Sequence, residues 1–204
     1  MLSVQHARVR FSDHRMLPHS RDGHAFLPDG AVNAPPMAPP PRPLGRSLLL
    51  LVAAFALLQW GWSAARGTWV ERLVVHEATV TSAAAFVRLL TPEIPAKAVG
   101  SSIKAPGGGL NILNGCEGTE VMFLLVAAFA AVRMPWRHRL AGLGLGIAVV
   151  FLINQARILA LFYCHRADRQ LFDTLHTAVL PAVLVALTAA YFYAVLHHAQ
   201  RRMA

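Results

Sequence analysis

Apolar residues along this chain gather into four runs set apart by short polar breaks. The runs are SLLLLVAAFALLQWGWSAA (47–65), EVMFLLVAAFAAVRMPW (120–136), LAGLGLGIAVVFLINQARILALFY (140–163) and HTAVLPAVLVALTAAYFYAVL (176–196). Each approaches the roughly 20 residues a helix needs to cross a hydrocarbon core, so the pattern predicts about four transmembrane helices. A fifth stretch, ERLVVHEATVTSAAAFVRLL (71–90), mixes apolar positions with Glu71, Arg72, His76, Glu77 and Arg88. That mixture predicts an amphipathic helix lying at the membrane interface. The expected fold class is therefore all-α, a polytopic integral membrane protein.

The first 45 residues break this pattern. LPDGAVNAPPMAPPPRPLGR is too rich in proline to hold a helix, and the region is expected to be a disordered cytoplasmic tail ahead of a membrane domain at 46–200. It is not read as a cleavable signal peptide, because the apolar run begins late and no small-residue cleavage site follows it. Met37 offers an alternative start that leaves only a brief basic prelude to the first span.

Composition agrees with a membrane protein: 55% of the 204 residues are hydrophobic, 14% are charged, and the mean hydropathy is +0.46. The formal charge of +9 changes the picture only through its placement. Lys and Arg flank the apolar runs rather than interleaving with aromatics on a polar face, which points to the bilayer as partner and away from nucleic acid. Arg42 and Arg46 precede the first run, Arg133, Arg137, His138 and Arg139 separate the second from the third, and Arg201 and Arg202 follow the fourth. An even number of spans puts all three clusters on one side, which the positive-inside rule makes cytoplasmic. Both termini then face the cytoplasm, and the 66–119 segment and the 164–175 loop face outward. Arg166 and Arg169 run against the rule, partly offset by Asp168 and Asp173.

This topology gathers chemistry at the outer end. Cys116 lies just outside the second span, Arg157 sits six residues before Tyr163 in the third, and His176 opens the fourth. An arginine inside a span is costly enough that function is the default explanation. A thiol beside a base or cation gains thiolate character. His176 is placed to take the Cys116 proton and return it to a leaving amine, and Arg157 to stabilise the oxyanion formed on a peptide carbonyl. Acyl transfer is the chemistry such a trio allows.

Three supporting residues follow. Asn154 shares a helical face with Arg157, Asp173 precedes His176 by three residues and serves either its tautomer or a helix N-cap, and Glu120 follows Cys116 by one turn. PGGGLNILNG (106–115) lacks the Gly-Lys-Ser/Thr ending of a phosphate loop and is read as a flexible approach to the site, while HRADRQ is read as a solvated loop. No cluster of His, Cys and acids has ligand spacing, so neither a metal nor an organic cofactor is expected.

NGCEG before one apolar helix, NQAR late in the next and LHTAVLP opening the last resemble the signature blocks of the exosortase/archaeosortase membrane transpeptidases. The resemblance covers roughly residues 110–185, and the chain's length is similar to that of the short exosortase subtypes, of which the M type is one. It implies cleavage of a C-terminal sorting signal (motif, membrane helix, basic end) on exported proteins at the bacterial inner membrane, with transfer to a polysaccharide or lipid acceptor. It also implies Cys116 as nucleophile, with Arg157 and His176 beside it. Two rival classes remain at this point: a membrane thiol oxidoreductase using Cys116 and Cys164, although the usual C-x-x-C pair is missing, and a non-catalytic assembly protein.

Overall fold

A computed structural model describes residues 43–112 and 115–201. The tail expected over 1–45 lies outside the described residues up to residue 42. Helices dominate. Helix α1 (Leu44–Ala65) begins directly after Pro43, whose fixed φ suits the position ahead of a first turn, and the chain turns out of it through Gly67 at φ +76°. Helix α2 (Trp69–Leu90) is capped by Thr68, whose hydroxyl accepts from the Val70 amide at 3.2 Å. A small antiparallel sheet follows, β1 (Lys97–Val99), β2 (Ser102–Lys104) and β3 (Leu110–Asn111) in that order, with Ala98 opposite Ile103 and Ile103 opposite Leu110. Helices α3 (Thr119–Ala131), α4 (Trp136–Ala167) and α5 (Arg169–Arg201) complete the chain.

The boundaries correct the sequence reading in three places. The second run was expected to stay helical to 136, but α3 ends at Ala131, because Pro135 disfavours helical backbone at Met134 and starts α4 afresh. No loop spans 164–175. A single break at Asp168 separates α4 from α5, and its carboxylate caps α5 by accepting from the amides of Gln170 at 2.8 Å and Leu171 at 3.1 Å. The glycine-rich approach carries β3 and is tied down: Arg166 donates to the carbonyls of Pro106 at 2.7 Å and Gly108 at 3.0 Å.

Among the described residues four helices are long and apolar enough to cross a membrane, α1, α2, α4 and α5. Helix α3, at 13 residues and about 20 Å, falls short of a core of about 30 Å unless the extended residues after it complete the traverse. Helix α2 has the length but the wrong company. It packs on the open-edged sheet whose Lys97 and Lys104 are exposed, and lipid does not tolerate open sheet edges. Its contacts therefore argue for the interface, where its charges had placed it.

Two apolar clusters divide the described residues. Val80, Ala83, Ala84 and Val87 of α2 close on Ile158, Leu161 and Phe162 of α4 and on Ile103, Leu110 and Ile112 of the sheet segment, forming a head. Leu125 and Phe129 of α3 meet Val150 of α4 and Leu184 of α5, forming a bundle. Helix α1 packs on the outside of α3, through an edge-to-face contact of Trp62 with Phe123.

Candidate active site

The head and bundle meet around Cys116. Its turn lies between two glycines in the left-handed region, Gly115 at φ +90° and Gly118 at φ +79°. Gly118 is required twice over: a side chain there would strain the backbone, and its Cβ would lie 2.8 Å from Asn154 Cγ. That close approach lets Asn154 Nδ2 donate to the Cys116 carbonyl at 3.1 Å, which docks the cysteine turn onto α4. Asn154 stands thirteen residues before the end of α4, so the turn is sunk about 20 Å below the top of that helix.

His176 reaches the thiol from α5. Its Nδ1 lies 3.9 Å from Cys116 Sγ, a long sulfur hydrogen bond. The local backbone has a cause in the sequence. Pro181 has no N–H to donate, and just before it the helix widens into a π turn over Leu175–Val179, with the Leu180 amide reaching back to the Leu175 carbonyl. Phe172, one turn ahead, stacks flat on the imidazole with ring centroids 5.4 Å apart and planes 5° from parallel, and His165 packs edge-on against Phe172 at 5.0 Å. Thiol and imidazole open into a partly enclosed cavity of about 160 Å³, whose walls include Leu110, Asn111, Ile158, Leu161 and Phe172.

Arg157 stands behind this cavity rather than in its wall. It is 8% exposed; its Nη1 donates to Asn154 Oδ1 at 3.5 Å, and its Nε is buried without a partner. Among the described residues no carboxylate lies within ion-pair distance of it. A buried, unpaired guanidinium with unused donors is expensive, so its place beside the nucleophile's turn calls for a function. The line from Arg157 through Asn154 to the Cys116 carbonyl is one continuous set of contacts.

The other two supporting residues do not join in. Glu120 is exposed on the first turn of α3, and the buried acid is Glu117, which accepts from the Thr119 hydroxyl at 3.2 Å. Asp173 is exposed; the cap it was offered for is made by Asp168, and among the described residues its carboxylate makes no hydrogen bond to His176. Phe172 is the partner that sequence reading missed, although its i, i+4 spacing to His176 marked it as a neighbour. Asn111, Leu161 and the other cavity walls carried no such signal. Cys116 and Cys164 form no disulfide with each other, and Cys164 is not in the cavity wall.

Residues 42–194 match the model of the transmembrane exosortase family. The chain belongs to the transmembrane exosortase family. The match takes in every residue of the cavity, the two glycines of the cysteine turn and all the described helices but the end of α5. No curated protein and no solved structure gives a significant match to this exosortase. Family membership makes it a membrane protein with a transpeptidase or protease type of role.

Proposed function

We propose that the chain is a cysteine-dependent transpeptidase that cleaves a C-terminal sorting signal from exported proteins, on the outer face of the bacterial inner membrane. The observation that carries this reading is the pairing of Cys116 Sγ with His176 Nδ1 at 3.9 Å at the wall of a partly enclosed cavity. For Nδ1 to accept the thiol proton, the imidazole hydrogen must sit on Nε2. The thiolate then attacks the scissile carbonyl, and the imidazolium returns its proton to the departing amine as the C–N bond breaks. The remaining thioester on Cys116 is opened by an amine or hydroxyl of the acceptor, a polysaccharide or lipid, which gives up its proton to His176. Hydrolysis by water would be the same step with a different nucleophile.

Arg157 supports this sequence in two ways. Through Asn154 it holds the cysteine turn, and its unused donors supply positive charge beside a centre that becomes anionic. A redox reading needs Cys116 and Cys164 to exchange with each other, whereas the partner that Cys116 Sγ meets is an imidazole.

The test is substrate processing in cells by Cys116→Ser and Cys164→Ser variants at matched membrane levels. Cys116→Ser is expected to leave the sorting signal uncleaved and Cys164→Ser to process it at near-normal rates. Equal loss in the two variants would replace the transpeptidase reading with a dithiol one.

A further inference from the structure

A second cavity lies at the opposite end of the bundle, between the first turns of α4 and the last turns of α5, with a volume of about 490 Å³. Its walls are apolar, formed by Ala141 and Leu145 on α4 and by Ala194 and Val195 on α5. Its floor is closed where Tyr191 donates its hydroxyl to the Gly142 carbonyl at 2.6 Å. That contact needs glycine, since a Cβ on Gly142 would lie 2.9 Å from Val195 Cγ1.

The residues around the mouth of this groove are basic. His138 and His198 stand at its rim, exposed. Arg137 precedes Ala141 by one helical turn and Arg201 follows His198 by one turn, so both exposed arginines extend the faces that line the groove. Trp136, 66% exposed, sits beside Arg137 on the first turn of α4, and exposed tryptophans settle at the headgroup level of a bilayer. An apolar slot in the hydrocarbon with two arginines and two imidazoles at headgroup depth matches one kind of molecule.

We infer that this groove holds an anionic phospholipid. One acyl chain lies against Ala141, Leu145, Ala194 and Val195, and the phosphate sits between Arg137 and Arg201 with His138 and His198 as further donors. Basic pockets between membrane helices bind acidic headgroups by this combination of charge and apolar wall. A peptide segment with a basic end is the weaker occupant, because it would bring like charge to the mouth. The site is independent of the thiol chemistry, and it gives the bundle a lipid where α4 and α5 leave a gap.

The experiment uses the full chain in phosphatidylcholine vesicles doped with a photoactivatable phosphatidylglycerol carrying its crosslinker on the acyl chain, and in parallel with the matching phosphatidylcholine probe. Labelled peptides are mapped by mass spectrometry. Phosphatidylglycerol label is expected to concentrate on residues 138–145 and 191–199, well above the phosphatidylcholine label there. Arg137→Gln combined with Arg201→Gln should lower that label by about thirtyfold. Thermal unfolding of the variant checks that it is folded. Should it not be, Ala141→Phe with Ala194→Phe keeps both arginines, fills the groove and is expected to lose the label as well. Equal labelling by the two probes, label spread over the outer face of α1, or label undiminished in a folded variant would each overturn the assignment.

Discussion

Helix α4 serves two regions built on different physics. In the head, its Ile158, Leu161 and Phe162 are buried under α2 and the sheet, and the packing closes a cavity of about 160 Å³ around a thiol. In the bundle, Gly142 and Gly146 let α3 and α5 approach so closely that a Cβ on Gly146 would lie 2.7 Å from both Leu125 and Tyr191, yet a cavity of about 490 Å³ remains open at the side. Under the proposed topology the head lies at the outer surface in water, where each buried Val, Leu, Ile or Phe side chain contributes about 1.5–3 kcal/mol and drives closure. The bundle has no such drive, because lipid is as apolar as the side chains, and close approach at small residues does the packing instead. A region closed by burial can fix a thiol and an imidazole side by side. A region packed through glycines tolerates a gap that a lipid can fill.

That contrast is open to attack from the head side first. Arg157→Lys is expected to insert normally and keep Cys116 alkylatable by a small reagent from outside, yet to slow cleavage by about 10²- to 10³-fold, since one ammonium cannot both hold Asn154 and present a planar fork of donors. Near-normal cleavage on a substrate blot would reduce Arg157 to a membrane anchor. Gly118→Ala should follow, with a loss of about 10²-fold, because a displacement of the cysteine turn by about an ångström ruins the approach to His176. Unchanged cleavage in that variant would mean that the docking of the turn against Asn154 is incidental.

Smaller effects sharpen the comparison. Phe172→Ala removes the ring stacked on His176 and should cost about three- to tenfold in cleavage rate, in keeping with the modest worth of a ring contact. Gly142→Ala acts on the bundle alone. It is expected to lower thermal stability by about 1–3 kcal/mol through overpacking against Val195 and Phe129, while cleavage per folded molecule stays within about twofold. A large loss of turnover at unchanged stability would show that the two regions are coupled.

The apolar helices at 47–65, 140–163 and 176–196 were legible because continuous apolar runs need no tertiary information, whereas the run expected to span at 120–136 holds only a 13-residue helix and the stretch expected at the interface, 71–90, is long and apolar enough to cross. Their ends were less legible: local breakers acted where the apolar count ran on, Pro135 at one helix and Asp168 at another. Cys116 and His176 could be named because each opens a span and the topology brings those ends together. Glu120 was singled out and Glu117 passed over, since the turn that buries Glu117 and exposes Glu120 depends on the left-handed backbone at Gly118. Asp173 looked like a partner on spacing alone, and the exposed side of α5 took it away from the imidazole. The three short strands were invisible in a segment with few β-branched residues, because their pairing depends on α2 beneath them.

The central claim is that Cys116 carries the acyl group. Incubating the purified full chain with a membrane-tethered sorting-signal substrate, in the absence of acceptor, and measuring the mass of the cysteine-containing peptides tests it most directly. The account predicts a hydroxylamine-labile adduct of the substrate's N-terminal fragment on the peptide bearing Cys116, lost in Cys116→Ser and slow to form in His176→Ala. An adduct on Cys164, or cleavage that proceeds in Cys116→Ser, would contradict it.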